Sequence, residues 1–430
     1  GPQGAAGQDA VIDPALVQTR ISGTCAVGSF VSAIAEDGTV ACESGSDSNN
    51  NTRYGTTALS SNTSGTNNAA FGFEALFTNT DGFTNAAFGT FALYSNTSGH
   101  RNVAVGSQSL ANNTTGHRNI AVGMGALGAN TEGSYNTAVG GGGTLSDNVT
   151  GNYNTAIGAL ALHLNTGSQN TATGAEALYS NTTGMLNTAN GIYALRENTD
   201  GINNTASGSG ALSLNTTGSN NTAIGANALV NNVIGVDNLA IGNNSGQLIT
   251  GSRNIAIANG GIAGESNTIR IGNANHTRTF VSGIRGAQTG LADAVTVFID
   301  SNGQLGTVSS SHRYKEEINN MGEASGRLLD LNPVTFRYKE GRENGDRPLE
   351  YGLIAEEVAE VFPDLVVFNS EGQPETVKYR LLSSLLLNEL QKQHEQLNGQ
   401  TAEIKGLKDQ LTELSVIVSQ MAGSAGQISE

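Results

Sequence analysis

Between Asn51 and Gly242 the chain repeats itself every 17 residues, and this period limits the possible folds more than any other feature of the sequence. Aligned on the glycine of an Asn-x-Ala-x-Gly pattern, the copies run from Gly55, Gly72 and Gly89 to Gly242, with one step of 18 (Gly140 to Gly158) and one of 16 (Gly158 to Gly174). The long step coincides with the extra glycine of Gly141-Gly142-Gly143, the short one with a trimmed turn, Asn165-Thr166-Gly167. Each unit reads Asn-x-Ala-x-Gly, two variable residues, Ala-Leu, two more, then Asn-Thr-x-Gly and a two-residue link. Small and β-branched residues suit a pleated surface, and Asn and Gly suit tight turns, so we expect two short strands and two turns per unit. The leucine of the Ala-Leu pair recurs from Leu59 to Leu229 as a column one residue wide. Burying one large aliphatic side chain contributes about 1.5–3 kcal/mol, against about 1–2 kcal/mol of backbone entropy for each ordered residue. An isolated rung therefore loses. Stacking, and several chains together, are expected to supply the rest.

Composition agrees with a thin, repetitive core. Only 37% of residues are hydrophobic and 5% aromatic, with no Trp, which argues against one large globular core. Of the six Pro none lies between Pro14 and Pro333, so the 57 Gly do not belong to a Pro/Gly-rich disordered chain. The formal charge of −16 repels phosphate backbones and anionic membrane surfaces, so nucleic acid is not an expected partner. No apolar run reaches the ~18 residues of a membrane span, and no membrane insertion is expected. The sequence opens at Gly1 without Met, and we expect a processed or shortened chain.

Every Lys lies beyond residue 314, which marks a domain boundary. We divide the chain into a collagen-like stub and Cys-containing linker (1–49), the 17-residue β repeats (50–262), a β neck (263–309) and a C-terminal unit (310–430). Gly at 1, 4 and 7 is the triplet pattern of a collagen end, although Gly1-Pro2 is equally a cloning remnant. Cys25 and Cys42, alone in the chain, suggest a disulfide outside the cytoplasm; two free thiols are the alternative. In the neck, 267–272 and 295–299 read as strands, with Asp300-Ser301-Asn302-Gly303 as a turn. The C-terminal unit reads as a small α/β domain followed by a coiled coil over 381–421. Leu390, Leu397, Ile404, Leu411 and Val418 form one heptad seam; Leu386, Gln393, Gln400, Leu407, Leu414 and Met421 form its companion.

Few residues offer chemistry. The six His are scattered; His100 and His117 recur at the repeat spacing and read as a ladder of exposed turn residues rather than metal ligands. We assign no metal and no cofactor. Asp81, Glu132 and Asp200 occupy the variable turn position of different rungs and read as solvated turn residues, not a glycosidase pair. Thr137, Thr155, Thr171, Thr188, Thr205 and Thr222 recur in register, as ice-binding arrays do. The same column holds Val103, Ile120 and Leu239, so a buried β position is the preferred reading.

The exception is Ser309-Ser310-Ser311-His312-Arg313-Tyr314-Lys315, placed where the composition changes. It is followed by Glu316-Glu317-Ile318, by Leu331-Asn332-Pro333-Val334-Thr335-Phe336-Arg337-Tyr338-Lys339, by Tyr351-Gly352-Leu353-Ile354-Ala355-Glu356-Glu357-Val358, by Phe362-Pro363-Asp364-Leu365-Val366, and by Tyr379 ahead of the Leu-rich helix. In this order the segments resemble the C-terminal intramolecular chaperone domain of endosialidase tail spikes and related phage and bacterial fibres, over residues 310–430. The resemblance implies a domain that trimerises, helps three upstream chains wind into a β fibre, and then cuts itself off with a Ser–Lys dyad. Carried over by position, Ser310 is the nucleophile, Lys315 the general base, and Ser309–Ser310 the broken bond. The family often has Asp directly after the nucleophile, where Ser311 stands here. A general-base lysine must fall from a reference pKa of ~10.4 to ~7–8, about three units at ~1.36 kcal/mol each, and burial in an assembled trimer could supply that. The repeats resemble, more loosely, the head repeats of trimeric autotransporter adhesins. Arg20–Cys25 and Asp37–Cys42 resemble the linker of bacterial tail-fibre-type surface proteins.

Together these readings predict a mainly β protein: a homotrimeric β-solenoid or β-roll with a self-cleaving C-terminal chaperone, acting as a surface or tail fibre or adhesin, at the cell surface or on a virion. The expected partners are two further copies of the chain and an unidentified surface receptor or glycan. A glycan-degrading tail spike and an ice-binding repeat protein are the alternatives.

Overall fold

The computed structural model describes residues 29–34, 39–44, 47–285, 287, 289–340 and 345–425. They form two compact units divided between Arg285 and Gly286. The collagen-like stub and Cys25 lie outside the described residues, as does any bridge from Cys25 to Cys42. Strands β1 (Ser29–Ile34) and β2 (Val40–Ser44) make an antiparallel pair.

The repeats form a β-solenoid. Fourteen three-residue strands, from β3 (Thr52–Tyr54) to β16 (Ile269–Ile271), stack in chain order into a single parallel sheet, one strand per rung. Their register is strict. Ala87 pairs with Ala104 and Ala104 with Ala121, so the middle residue of each strand meets its equivalent one rung on. Alternation along the strand sends that Ala inward, where it is fully buried, and sends its two neighbours outward.

The second strand expected in each unit is absent. The Ala-Leu segment runs as a turn, because every leucine from Leu59 to Leu229 in this column has a left-handed φ of +50° to +54°, which a pleated strand does not accommodate. Its backbone still bonds rung to rung, as in Leu76 N–H to Ala92 O and Leu93 N–H to Ser109 O, both 3.0 Å. The left-handed backbone costs roughly 1–2 kcal/mol per residue. Complete burial of the leucine contributes about 1.5–3 kcal/mol, so the strained rotation that turns Leu inward is the better state. Leu76, Leu93, Leu110 and their equivalents up to Leu229 are all 0% exposed within one chain, and Leu59 at the first rung is 3% exposed. Stacking alone thus closes the core.

Two internal asparagine ladders complete the rung. In the first, Asn102 N–H donates to Oδ1 of Asn85 (3.0 Å), and Asn85 Nδ2 donates to Gly99 O (2.8 Å). In the second, Asn96 Nδ2 donates to Oδ1 of Asn79 (2.7 Å) and also to Gly99 O (3.0 Å). The carbonyl of Gly99 therefore joins both ladders. Amides at 0–2% exposure must be satisfied internally, and among the described residues no buried side-chain nitrogen or oxygen lacks a partner. This crowding explains the glycine of Asn-Thr-x-Gly. A Cβ on Gly99 would stand 2.6 Å from both Gly116 O and Asn113 Nδ2.

The threonine column is also corrected. Thr171, Thr188 and Thr205 are exposed, together with Val103 and Ile120 in the same column, because they occupy the first, outward position of their strands.

In the second unit β17 (Phe298–Ile299) and β18 (Leu305–Gly306) flank the expected turn, where the Asp300 carboxylate accepts the N–H groups of Asn302 and Gln304 at 2.9 Å. Val295 and Val297, expected in a strand, lie outside one. Beyond Ser310 come β19 (Val334–Phe336) paired with β20 (Glu350–Gly352), helix α1 (Ala355–Val361), β21 (Val366–Phe368) paired with β22 (Pro374–Val377), and helix α2 (Tyr379–Ala425). Leu328, Val358, Leu365, Val366, Val377 and Leu385 form their small core. Helix α2 is continuous over 47 residues, about 70 Å at 1.5 Å per residue, and passes Gly399 and Gly406 without a break.

Candidate functional site at the start of the C-terminal segment

Ser309, Ser310 and Lys315 are exposed, and a single 3₁₀ turn, His312–Tyr314, separates the two expected catalytic residues. The turn closes through Tyr314 N–H to Ser311 O (3.1 Å) and Lys315 N–H to His312 O (3.2 Å). Ser311 is its N-cap. Its hydroxyl accepts the N–H of Arg313 and the Nε–H of the same residue, each at 3.3 Å. Asp and Ser are both strong N-cap residues, so Ser311 performs locally what an Asp at this position would. That leaves Ser310 as the serine whose hydroxyl takes no part in the turn. No hydrogen bond joins Ser310 to Lys315 among the described residues, so the single chain does not bring the dyad together.

The segments downstream are tied to one another. Strands β19 and β20 pair Val334 with Gly352, and a Cβ on Gly352 would stand 2.8 Å from the Tyr379 hydroxyl and 3.2 Å from the Phe336 ring. Only glycine fits between them. The Tyr379 hydroxyl in turn accepts the Leu353 N–H at 2.9 Å, tying β20 to the first residue of α2.

A second tie holds the 3₁₀ segment Gly322–Asp330 against α2. Buried Ser325 donates to Oε1 of Glu389 (2.6 Å), Lys392 Nζ donates to the same oxygen (2.8 Å) and to Oε2 of Glu323 (2.8 Å), and Asn388 Nδ2 donates to Gly322 O (2.8 Å). The Lys392 ammonium, then the Ser325 hydroxyl, hold the Glu389 carboxyl below its ordinary range. Sequence reading missed this cluster, whose members lie more than 60 positions apart and carry no shared motif.

From Leu386 onward the heptad apolar residues of α2 have no cover within the chain. Leu390, Leu397, Ile404, Leu411 and Val418, with Leu386, Leu407, Leu414 and Met421, are 53–73% exposed.

The other residues weighed for chemistry stay apart. Asp81, Glu132 and Asp200 are exposed turn residues, three and four rungs from one another. At about 4.8 Å per rung those steps are roughly 14 and 19 Å, beyond the ~5–9.5 Å of a glycosidase pair. His100 and His117 stack in parallel, ring centroids 4.8 Å apart, as the ladder reading expects.

A family model described as chaperone of endosialidase matches residues 310–367, the stretch from the candidate nucleophile through α1 into β21. Comparison with curated proteins found no match, and comparison with solved structures found none. Residues 310–367 are thus similar to the chaperone of endosialidase, and together with the solenoid of 17-residue rungs ahead of them they fit a tail-fibre-type protein with a C-terminal chaperone domain.

Proposed function

We propose that the protein is a homotrimeric surface or virion-tail fibre whose C-terminal segment templates assembly and then releases itself by cleaving Ser309–Ser310. The observation that carries this reading is the position of Ser310 at the first residue of the matched segment, in an exposed turn with Lys315 at its other end. In the reaction, Ser310 Oγ attacks the Ser309 carbonyl carbon while Lys315 Nζ takes the hydroxyl proton. The C–N bond breaks and the Ser310 nitrogen receives the proton, leaving Ser309 esterified to Ser310 Oγ. Water hydrolyses that ester. Acting as the base requires Lys315 to be buried or flanked by cations; the turn places Arg313 two residues away but leaves Lys315 exposed, so burial has to come from outside the turn. Assembly supplies it. The uncovered heptad stripe of α2 and the outward apolar residues of the solenoid sheet, such as Phe88, Ile120, Ile157 and Ile224, are the surfaces that further copies would cover. The shaft would present its rungs to a receptor outside the cell. No helix among the described residues is long and apolar enough to cross a membrane.

The test is the intact mass of freshly expressed protein beside Ser310→Ala and Lys315→Ala. Two chains divided at 309/310 are expected for the parent and one for each variant. A parent that assembles as a trimer and stays whole removes the peptidase reading.

A further inference from the structure

Two consecutive rungs carry the same tetrapeptide, Gly99-His100-Arg101-Asn102 and Gly116-His117-Arg118-Asn119. The strict register places the two His-Arg pairs directly above one another, one strand spacing apart. The imidazoles extend a stack that begins with Phe83, whose ring lies 4.6 Å from His100, and ends edge-on against Tyr135, 5.3 Å from His117. The Arg101 guanidinium lies over Phe83 at 5.4 Å and that of Arg118 over Tyr135 at 5.0 Å. Both arginines are exposed.

Elsewhere on the solenoid, most arginines lie near acids, although Arg253 donates to Asn267 instead. Arg196 pairs with Glu176 and Glu197, and Arg270 with Glu265, while the Asp47 carboxyl, held below its ordinary range against its burial by hydrogen bonds from Asn51 and Asn49, also feels the charge of Arg53. Arg101 and Arg118 form no ion pair among the described residues, Arg118 donating through one nitrogen to the Tyr135 hydroxyl, although acidic residues outnumber basic ones 37 to 21 in the whole chain. Asp81 and Glu132, in the turns one rung below and one rung above, do not bridge to them. Burial first, then the charges of His100, Arg118 and Arg101, lowers the pKa of His117, as expected where cations crowd with no counter-charge. Like charges stacked in this way repel in the free protein, and a ligand bearing spaced negative groups would relieve the repulsion.

We infer that this ledge of Phe83, His100, Arg101, His117, Arg118 and Tyr135 binds an acidic polysaccharide, its carboxylate or sulfate groups held by the two guanidinium forks and its sugar faces lying against the aromatic edges. A guanidinium offers a planar pair of donors to either group. Two forks on one ledge suit a chain with about one charge per sugar. Duplex nucleic acid, with a charge every ~1.7 Å, would need many more cations and would meet the acidic remainder of the molecule. Thr84 and Thr115 on the same rungs are exposed.

The test measures binding of the full chain to polygalacturonate (carboxylate), heparin (sulfate), neutral dextran and duplex DNA. The Arg101→Asn/Arg118→Asn double variant is chosen because Asn67, Asn203 and Asn220 occupy the same rung position with the same left-handed φ, so the backbone is preserved. The parent is expected to bind at least one acidic polysaccharide, the two arms showing which acid it prefers, to ignore dextran, and to lose affinity with rising salt. The double variant is expected to bind at least tenfold more weakly at an unchanged melting temperature. Arg253→Asn, at the same position of a rung without a neighbouring arginine, is expected to bind as the parent does. Failure to bind either acidic polymer, binding that ignores salt, equal binding by the double variant, or tighter binding to DNA would each overturn the inference. Repeating the measurement on Ser310→Ala separates this outcome from that of the cleavage reading.

Discussion

At the scale of single residues, the solenoid is held by side chains that are small, amidic and completely enclosed. Asn96 accepts from Asn113 and donates to Asn79 and Gly99, so Asn96→Ala leaves an Asn113 donor and an Asn79 acceptor short of a partner in a dry interior. A cost of about 1–3 kcal/mol is expected, read as a lowered melting temperature of the full chain. Left-handed positions behave in the opposite way. Gln108 has a φ of +59°, and the equivalent residues one and six rungs on are Gly125 and Gly210, with φ of +69° and +67°. Gln108→Gly is therefore expected to be neutral or to stabilise by up to about 1 kcal/mol, whereas glycine in a β-strand would destabilise. The inward role of these asparagines was not legible in the sequence. Asn-Thr-x-Gly looks like an ordinary exposed turn, and only the near-invariance of the two asparagines, against the variable residues between them, separates a buried ladder from a surface one.

At the scale of elements, period was readable and local conformation was not. The 17-residue step specifies stacked rungs, and the heptad spacing from Leu386 to Met421 specifies one long helix; both are present. The Ala-Leu segment misleads because strand propensity says nothing about a leucine rotated into a left-handed backbone by the demand to face inward. The junction of Gly322–Asp330 with α2 was invisible, since it joins residues far apart in sequence. It makes a pH prediction. The pKa of Glu389 is lower folded than unfolded, so its contribution is complete above its ordinary value near 4.5 and is lost as pH falls through the lower folded value. Helicity followed from pH 6 to 3 should show the parent losing a stabilisation that Glu389→Gln lacks at every pH. Farther along α2, Leu397→Asp with Leu411→Asp is expected to reduce a trimer to monomers in light-scattering measurements while leaving the solenoid's melting transition in place. An unchanged trimer would show that this stripe does not hold the copies together.

At the scale of the whole molecule, the uniformity of the rungs has a consequence for how they find one another. Each strand offers its neighbour the same asparagine acceptor, the same glycine carbonyl and the same alanine, so a slip by one whole unit would satisfy nearly the same bonds as correct pairing. A rod made of near-copies has few internal landmarks. The two irregular steps, the glycine-rich bulge at 141–143 and the shortened turn at 165–167, stand one rung apart and are the places where such a slip would fail to match. Asn148 bonds across this stretch to Asn130 at 3.0 Å, and Asn165 to Asn148 at 3.1 Å, so the ladder stays continuous through both. Making those two rungs regular would erase the landmark without removing a core contact, leaving a shaft as stable as before but free to zip up out of step.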